Sequence, residues 1–183
     1  MNNKLTLNEI IIVGLFAAIM AVLSQISIPL PFTSVPITLQ VFGVVLIGTI
    51  LGRKLGFLSL IIYLLLGAIG IPVFSGMSSG LGAIVGPTGG YLIGFPIMCY
   101  LIGFGVEKKN NILFFVLAFI GVLIDYAFGV IQLSYISNLS LSTALVYGFY
   151  PFIAKDIVMV FLAAFLGLQI RKRLVKSLSL KLS

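Results

Sequence analysis

Three ionisable side chains other than tyrosines lie well inside long apolar runs of this sequence: Asp125, Lys155 and Asp156. A charged side chain at the centre of a membrane helix costs about 2.5–3.5 kcal/mol on insertion scales, so such residues need a partner or a function. Carboxylates accept hydrogen bonds and an ammonium group donates them. Together the three residues predict a site that binds a small polar molecule within a membrane.

A purely structural explanation of the same charges is also open. An ion pair between Asp125 and Lys155 would join the two helices that carry them, and Asp125 could instead face solvent at the membrane surface. Such a pair leaves the second carboxylate, Asp156, unexplained. Because neighbouring residues on a helix do not face each other, we expect Lys155 and Asp156 to point in different directions.

The residue types argue against most catalytic chemistry. The sequence has no histidine, which excludes a His-based triad and most zinc sites. The segment GTILGRK at 48–54 has the wrong spacing for a phosphate-binding loop. An intramembrane aspartyl enzyme that uses Asp125 and Asp156 is an alternative, but neither aspartate has the G-x-G-D setting of such enzymes. We therefore expect a protein that is not an enzyme.

Glycines are concentrated in segment 71–90, which carries six of them and no charge. Glycine admits positive φ and lets the backbone approach a ligand closely, so this segment is predicted to be a binding loop. Thr88, followed by Gly89 and Gly90, is expected to cap the next helix, whose free N–H groups favour an anion. A plain connection between two helices is the alternative.

The earlier uncharged segment, 28–36, contains three prolines that stiffen it and interrupt helical structure. We expect it to cover a cavity. Gln40 follows at the mouth of the next helix, where its amide offers both donors and an acceptor.

The elements that must hold these residues are membrane helices. Apolar residues make up 61% of the 183 residues and charged ones 8%, which excludes a soluble enzyme and leaves no soluble domain. The single cysteine, Cys99, excludes a disulfide framework. Since a span needs about 20 apolar residues, we predict an all-α integral membrane protein with six transmembrane helices in one domain over 1–183. The predicted spans are 7–27, 37–51, 55–70, 91–106, 112–134 and 143–170.

Ten of the eleven Lys and Arg residues lie where the predicted spans emerge on one side: Lys4, Arg53, Lys54, Lys108, Lys109, Arg171, Lys172, Arg173, Lys176 and Lys181. Because basic residues stay on the cytoplasmic side, both termini are predicted to be cytoplasmic in a multi-pass protein of the cell membrane. Asp125 follows Lys109 by 16 residues, and Lys155 precedes Arg171 by 16. Both therefore lie roughly 24 Å above the cytoplasmic charges, so the site is predicted to open outward.

Small residues lie four apart in the first span, as Gly14 with Ala18 and, in a neighbouring register, Ala17 with Ala21. Such pairs let helix backbones approach closely. They predict either a docking face for a partner protein or close packing inside the chain.

Four segments resemble BioY, the biotin-specific S component of energy-coupling factor (ECF) transporters, in order and spacing. They are VPITLQ at 35–40, LGRKLGFLSLIIYLLLGAIGIPVF at 51–74, GPTGGYLIGF at 86–95 and YPFIAKD at 150–156. The likeness covers nearly the whole chain, and GPTGGYLIGF with the proline-rich segment is its most specific part. The family pattern has glycine before the last aspartate and lysine three residues after it, whereas Lys155 and Met159 occupy those positions here.

The resemblance implies a subunit that captures biotin from outside and docks on a transmembrane coupling protein with two cytoplasmic ATPases. ATP is then used only by those partners, and this chain needs no cofactor or metal of its own. The docking residues would be Gly14, Ala17, Ala18 and Ala21, with the face that bears Ala17 and Ala21 on the coupling protein. An S component for a different vitamin is the alternative within transport.

Biotin offers two ureido N–H groups and a carbonyl at one end, an apolar sulfur ring and a carboxylate tail. Asp156 is then expected to accept a ureido N–H, Lys155 to pair with the carboxylate or the ureido oxygen, and Gln40 to serve either end. The segments 28–36 and 71–90 are expected to close over the ligand. The predicted binding set also includes the apolar walls Phe32, Phe74 and Tyr91, with Thr88, Gly89, Gly90 and Asp125.

Overall fold

The computed structural model describes residues 5–178, with side chains as far as residue 174. Lys4, Lys181 and the side chain of Lys176, counted above among the basic residues, lie outside this part of the chain. The elements in chain order are α1 (Leu7–Gln25), β1 (Ser27–Leu30), β2 (Thr33–Thr38), α2 (Gln40–Ala68), a 3-10 turn (Ser75–Met77), α3 (Leu81–Val85), α4 (Gly89–Glu107), α5 (Asn111–Ile136), α6 (Leu141–Gly148) and α7 (Tyr150–Leu178).

Five of the described helices are long and apolar enough to cross a membrane: α1, α2, α4, α5 and α7. Polar side chains fix where several helices begin. The Thr6 hydroxyl accepts from the backbone N–H of Glu9, whose carboxylate accepts from the backbone N–H of Thr6, which is a capping box. The side chains of Asn110 and Ser140 cap α5 and α6, because each accepts from a backbone N–H in the first turn of its helix. The chain is a mostly helical, multi-pass membrane protein.

Helix α2 folds back on itself at Gly52. That residue has φ +81° and ψ −177°, a conformation essentially restricted to glycine. The amide of Gln40 donates to the Tyr63 hydroxyl at 3.1 Å, although these residues would lie roughly 35 Å apart along a straight helix. Segments 40–51 and 53–68 are therefore antiparallel neighbours, in the region of the predicted spans 37–51 and 55–70.

Two predicted regions differ from the structure on the uncharged side. Segment 28–36 belongs to an antiparallel hairpin that pairs Ser27 with Thr38 and Ile28 with Ile37, so the chain is not purely α-helical. Alternating β-branched residues in β2 favour the extended conformation. The predicted span 143–170 is divided, since α6 ends at Gly148 and α7 begins at Tyr150. Pro151 explains the division, because a proline fits only the first turn of a helix.

The charged connections meet at one end of the molecule. Arg53 Nε lies 3.1 Å from Glu107 Oε2, which joins the turn at Gly52 to the end of α4. Arg171 Nη1 donates to the carbonyl of Ile50 at 2.8 Å, which brings the C-terminal part of α7 to the same turn. The hairpin and segment 71–90 lie at the opposite end.

The helices are buried to different degrees. In their most apolar windows, 72% of the residues of α4 are buried against 28% of those of α1. Helix α4 packs between α2 and α5, and Gly94 allows the backbone of α5 to approach so closely that a Cβ there would meet Asp125. Helix α4 is therefore the centre of the bundle and α1 its most exposed edge.

Candidate functional site

The uncharged end of the helices contains a cavity of about 240 Å³. Its apolar wall includes the side chains of Phe74, Tyr91, Leu92, Phe95 and Phe152. Polar side chains from four different elements converge on it: Thr38, Gln40, Asp125, Tyr126, Lys155 and Asp156. An apolar pocket with a few convergent polar groups is the usual form of a small-molecule site.

Seven of the ten residues that the sequence predicts to bind a ligand line this cavity: Gln40, Phe74, Thr88, Tyr91, Asp125, Lys155 and Asp156. Phe32 does not, since it lies in the connection between β1 and β2 with 52% of its surface exposed. Gly89 and Gly90 do not line it either, because they lie where α4 packs on other backbone. A Cβ on Gly89 would meet the carbonyl of Ile84, and one on Gly90 that of Phe128.

Thr88 precedes the first residue of α4, as the sequence predicts, but its side chain makes no capping hydrogen bond. The reason is its backbone, which at φ −100° and ψ −2° is already near the helical region rather than extended. The expected side-chain cap of this helix is therefore wrong.

Lys155 and Asp156 form an ion pair, with Lys155 Nζ 2.6 Å from Asp156 Oδ1. The contact is electrostatic, since its geometry is not that of a hydrogen bond. The same ammonium group donates to the carbonyl of Thr38 at 3.0 Å. The expectation that these neighbours point apart is wrong, because the flexible four-carbon stem of lysine brings its head back toward the adjacent carboxylate. Lys155 thus pairs with Asp156 of its own helix and donates to Thr38 at the end of β2, rather than pairing with Asp125.

Tyr126 joins α5 to α7, since its hydroxyl donates to Asp156 Oδ2 at 2.5 Å. Its ring makes edge contacts with Phe149 and Tyr91, at centroid distances of 4.8 Å and 6.3 Å. Sequence reasoning missed both Tyr126 and Thr38 as site residues. A signal existed for the tyrosine, because a phenol within an apolar helix needs a hydrogen-bond partner.

Gln40 is 7% exposed and is held by its neighbours. Its Oε1 accepts from the Thr38 hydroxyl at 3.1 Å, and its Nε2 donates to the Tyr63 hydroxyl at 3.1 Å. Because the side-chain amide nitrogen carries two hydrogens, one N–H of Gln40 Nε2 is left after the bond to the Tyr63 hydroxyl.

Asp125 is 2% exposed, which contradicts the alternative that it faces solvent at the membrane surface. Its Oδ1 is fully buried and accepts no hydrogen bond from any described residue. The interhelical ion pair with Lys155, the structural alternative raised by the sequence, is likewise not formed.

The aromatic walls are fixed by contacts behind them. The Tyr91 hydroxyl donates to the carbonyl of Gly148 at 2.8 Å. The Phe74 ring lies against Gly67, where a Cβ would collide with it. Gln25, at the end of α1, anchors segment 71–90. Its Nε2 donates to the Phe74 carbonyl at 3.0 Å, and its Oε1 accepts from the Met77 N–H at 3.0 Å. No local sequence pattern indicates this anchor, because it joins residues about fifty positions apart.

The small residues of α1 fall on two different faces. Gly14 and Ala18 are exposed, and a Cβ on Gly14 would have open space around it. Ala17 is only 1% exposed and Ala21 packs partly against the same core. The register of Ala17 and Ala21 therefore lies against the core of this chain, whereas that of Gly14 and Ala18 is at the surface.

Comparison with known proteins gives the family. The profile of the BioY family matches residues 1–176. The chain is 45% identical to the probable biotin transporter BioY of Pyrococcus horikoshii, over 82% of this chain and 88% of that protein. It is 40% identical to the biotin transporter BioY of Thermotoga maritima, over 91% of this chain and 97% of that protein.

A solved structure agrees with these relatives. It is the crystal structure of the S-component for biotin from an ECF-type ABC transporter, which aligns with a TM-score of 0.83 and 30% identity. The alignment covers 92% of this chain and 95% of that one. The resemblance seen in the sequence is confirmed over nearly the whole length, and the chain belongs to the BioY family.

Proposed function

We propose that this protein is the substrate-binding membrane subunit of a biotin uptake system, which captures biotin from outside and delivers it to an ATP-driven ECF module. The observation that carries the proposal is the cavity at the uncharged end of a BioY-family chain, where three buried or half-buried ionisable side chains converge. Membrane-embedded charge is expensive and is retained where it serves a ligand or pathway.

The membrane arrangement is a single unit over 1–183 with six spans: α1, the two segments 40–51 and 53–68 of α2, α4, α5 and α7. Both termini lie in the cytoplasm and the protein resides in the cell membrane. The meeting of Arg53, Glu107 and Arg171 at one end supports this arrangement, because basic residues stay on the cytoplasmic side. The cavity then opens to the outside.

Biotin binds with its apolar sulfur ring against the aromatic wall and its polar ends on the charged groups. Lys155 has three N–H donors, of which one is directed to Thr38 and one side faces Asp156. The remaining donor is available to a carboxylate or ureido oxygen of the ligand, and such charge-assisted bonds orient a ligand in a dry pocket. The hairpin β1–β2 and segment 71–90 close over it.

The chain is a transport subunit without its own ATPase site and without a cofactor. A transmembrane coupling protein and two cytoplasmic ATPases use ATP and drive release inward. The coupling protein docks on the exposed face of α1 that carries Gly14 and Ala18. This choice is supported by the low burial of α1 and by the small residues at its surface, which allow close helix approach.

The aspartyl-enzyme alternative has weaker support. A catalytic dyad shares one proton between two carboxylates. Asp156 instead has an ammonium group at one oxygen and the Tyr126 hydroxyl at the other. Both of its oxygens therefore contact other groups rather than the second carboxylate.

Calorimetry on the detergent-solubilised, purified chain tests the proposal. We expect saturable binding of biotin with one site per chain, and no heat from riboflavin or thiamine injected under the same conditions. Binding of another vitamin in preference to biotin would overturn the substrate, and a chain that binds no small molecule would overturn the site.

A further inference from the structure

A pocket at the charged end of the molecule has no part in the function proposed above. It lies between the connection from α4 to α5 and the C-terminal part of α7, with a volume of about 460 Å³. Its lining includes three basic and three apolar side chains: Lys109, Arg171, Lys172, Val106, Phe114 and Leu168. None of the described residues lines both this basic pocket and the cavity at the opposite end.

The charge of the basic pocket is not balanced by neighbouring acids. All four acidic residues of the chain lie in its described part, and none of them lines the pocket. Arg171 is already engaged, since its Nη1 donates to the Ile50 carbonyl at 2.8 Å and Glu107 attracts its guanidinium group. Lys109 and Lys172 are exposed, and neither forms an ion pair with any residue of 5–174. These two lysines therefore supply the net positive charge.

The backbone at the start of α5 adds to the positive potential. This 26-residue helix begins at Asn111, and both Asn110 and Asn111 line the basic pocket. The first N–H groups of a helix lack intrahelical acceptors and form the positive end of its dipole. The Asn110 side chain accepts from one of them, the N–H of Leu113, at 3.1 Å. The helix end thus favours an anion in the same place as the two lysines.

An apolar stripe of α7 leads from the basic pocket toward the middle of the membrane. Four residues follow each other at intervals of three or four: Phe161, Phe165, Leu168 and Lys172. Residues with this spacing lie on one face of a helix. Phe161 and Phe165 are 50% and 64% exposed, and the Phe161 ring borders that of Phe115 on α5 at a centroid distance of 5.2 Å. The face is therefore apolar along the membrane and cationic at its end.

We propose that the basic pocket binds the headgroup of an anionic phospholipid. The lipid phosphate lies between Lys109 and Lys172, and one acyl chain lies along the stripe formed by Phe161, Phe165 and Leu168. Basic pockets between membrane helices on the cytoplasmic side are known to bind such headgroups. A free phosphate would use the cations but not the stripe, so the combination favours a lipid. With the orientation proposed above, this lipid belongs to the inner leaflet.

The bound lipid has a structural consequence. Lys109 lies in the connection between α4 and α5, whereas Lys172 belongs to α7, so one phosphate joins two elements. A ligand that binds only the folded state raises the unfolding temperature by mass action. An anionic lipid is therefore expected to stabilise the charged end of the bundle.

Native mass spectrometry of the purified chain in detergent tests the proposal. The probes are dioleoylphosphatidylglycerol and dioleoylphosphatidylcholine, which share their acyl chains and differ in net charge. We expect wild type to bind the anionic lipid more tightly by about 10-fold or more, since each cation near an anionic headgroup contributes roughly 5-fold in affinity. Lys109→Gln/Lys172→Gln should reduce this preference to about 2-fold or less, because both cations are removed.

Two further variants serve as controls. Lys54→Gln/Arg173→Gln also removes two positive charges, but from exposed residues that do not line the basic pocket, so it should keep the preference. Lys109→Arg/Lys172→Arg retains the charge and should keep it as well. Because all four positions are exposed, the ligand-free variants should unfold at the wild-type temperature. Phosphatidylglycerol should raise that temperature for wild type and both controls, but not for Lys109→Gln/Lys172→Gln.

Three results would overturn the proposal. The first is equal affinity of wild type for the two lipids, and the second is an equal loss of preference in the two glutamine variants. The third concerns glycerol 1-phosphate, which carries the charge without acyl chains and should bind more weakly by about 10-fold or more. Binding as tight as that of the lipid would indicate a site for a free anion.

Co-purification and calorimetry separate this proposal from its alternatives. If Lys109→Gln/Lys172→Gln keeps the lipid preference but no longer co-purifies with the coupling protein and ATPases, the basic pocket is a protein contact and the proposal fails. Biotin binding should be the same in wild type and all variants, because the two sites lie at opposite ends. A chain that binds phosphatidylglycerol selectively but no biotin would contradict the proposed function and still support the lipid site.

Discussion

At the scale of single residues, Lys155 connects three features of the molecule. Its ammonium group bonds to the Thr38 carbonyl, contacts Asp156 and lies on the cavity wall. Its side chain is only 21% exposed, so these contacts are formed in a poorly hydrated environment. The residue therefore contributes to stability and to the proposed binding at once.

Replacement of Lys155 by Met separates the two contributions. We expect Lys155→Met to lower the free energy of unfolding by about 1–3 kcal/mol, because Asp156 and the Thr38 carbonyl lose a partner. We also expect biotin affinity to fall by about 10- to 100-fold through loss of a charge-assisted bond. Thermal unfolding and calorimetry in detergent measure the two effects.

The double variant Lys155→Met/Asp156→Asn is the control. It removes the isolated charge, so it should regain stability relative to Lys155→Met while biotin affinity stays low. Recovery of affinity in the double variant would contradict a direct contact between Lys155 and the ligand.

The sequence identifies these residues but not their bonds. Asp125, Lys155 and Asp156 are conspicuous because charge is rare within apolar runs, and all three line the cavity. Their partners depend on side-chain length and on distant chain segments. The Thr38 carbonyl lies 117 positions from Lys155, and no local pattern indicates that contact.

At the scale of elements, the turn at Gly52 decides whether 40–68 is one helix or two. Its φ of +81° reverses the chain, and the backbone N–H of Arg53 donates to Glu107 Oε1 at 2.9 Å. A Cβ at position 52 would come within 2.5 Å of that same oxygen. The turn and the end of α4 therefore form one unit.

Replacement of Gly52 by Ala tests this unit. The backbone strain alone is about 1–3 kcal/mol, and displacement of Glu107 adds to it, so we expect a clear fall in unfolding temperature. Gly82→Ala is the matched control, because Gly82 lies within a short helix with open space around it. It should change the free energy of unfolding by no more than about 1 kcal/mol. Equal effects of the two variants would contradict a special role for Gly52.

Hydropathy predicts the long helices well, because the membrane requires long apolar stretches and little else. Hydropathy does not predict the β-hairpin, because the mean hydropathy of its residues does not distinguish a strand from the end of a membrane helix. It also does not predict the separation of α6 from α7. The latter depends on Pro151 and on Tyr91, whose hydroxyl holds the carbonyl of Gly148 at the end of α6. Such boundaries are set by contacts between elements rather than by composition.

At the scale of the whole molecule, burial is uneven around the bundle. Helix α1 is the least buried of the candidate spans, and its exposed face carries Gly14 and Ala18. A face with small side chains at the edge of a bundle suits close contact with another membrane helix. The interior register, with Ala17, serves packing within the chain.

Ala18→Trp tests the proposed docking face. We expect it to prevent co-purification with the coupling protein and ATPases, because the indole holds the helices apart, while calorimetry still detects biotin binding. Ile131→Trp is the control, since Ile131 of α5 is 63% exposed on another part of the surface. A complex that forms normally with Ala18→Trp, or is lost with both variants, would contradict docking through this face.

The bond from Lys155 to the Thr38 carbonyl links the entrance of the cavity to its electrostatics. Movement of the hairpin away from α7 breaks that bond and frees an ammonium donor at the same moment. In the proposed function, where the hairpin closes over biotin, the closed hairpin keeps this bond. A ligand that engages the remaining donor of the same ammonium group then stabilises the closed hairpin, and by reciprocity the closed hairpin raises the affinity for the ligand. Under that proposal, hairpin closure and ligand binding are thermodynamically coupled through one lysine, so a change that loosens the hairpin also weakens ligand binding.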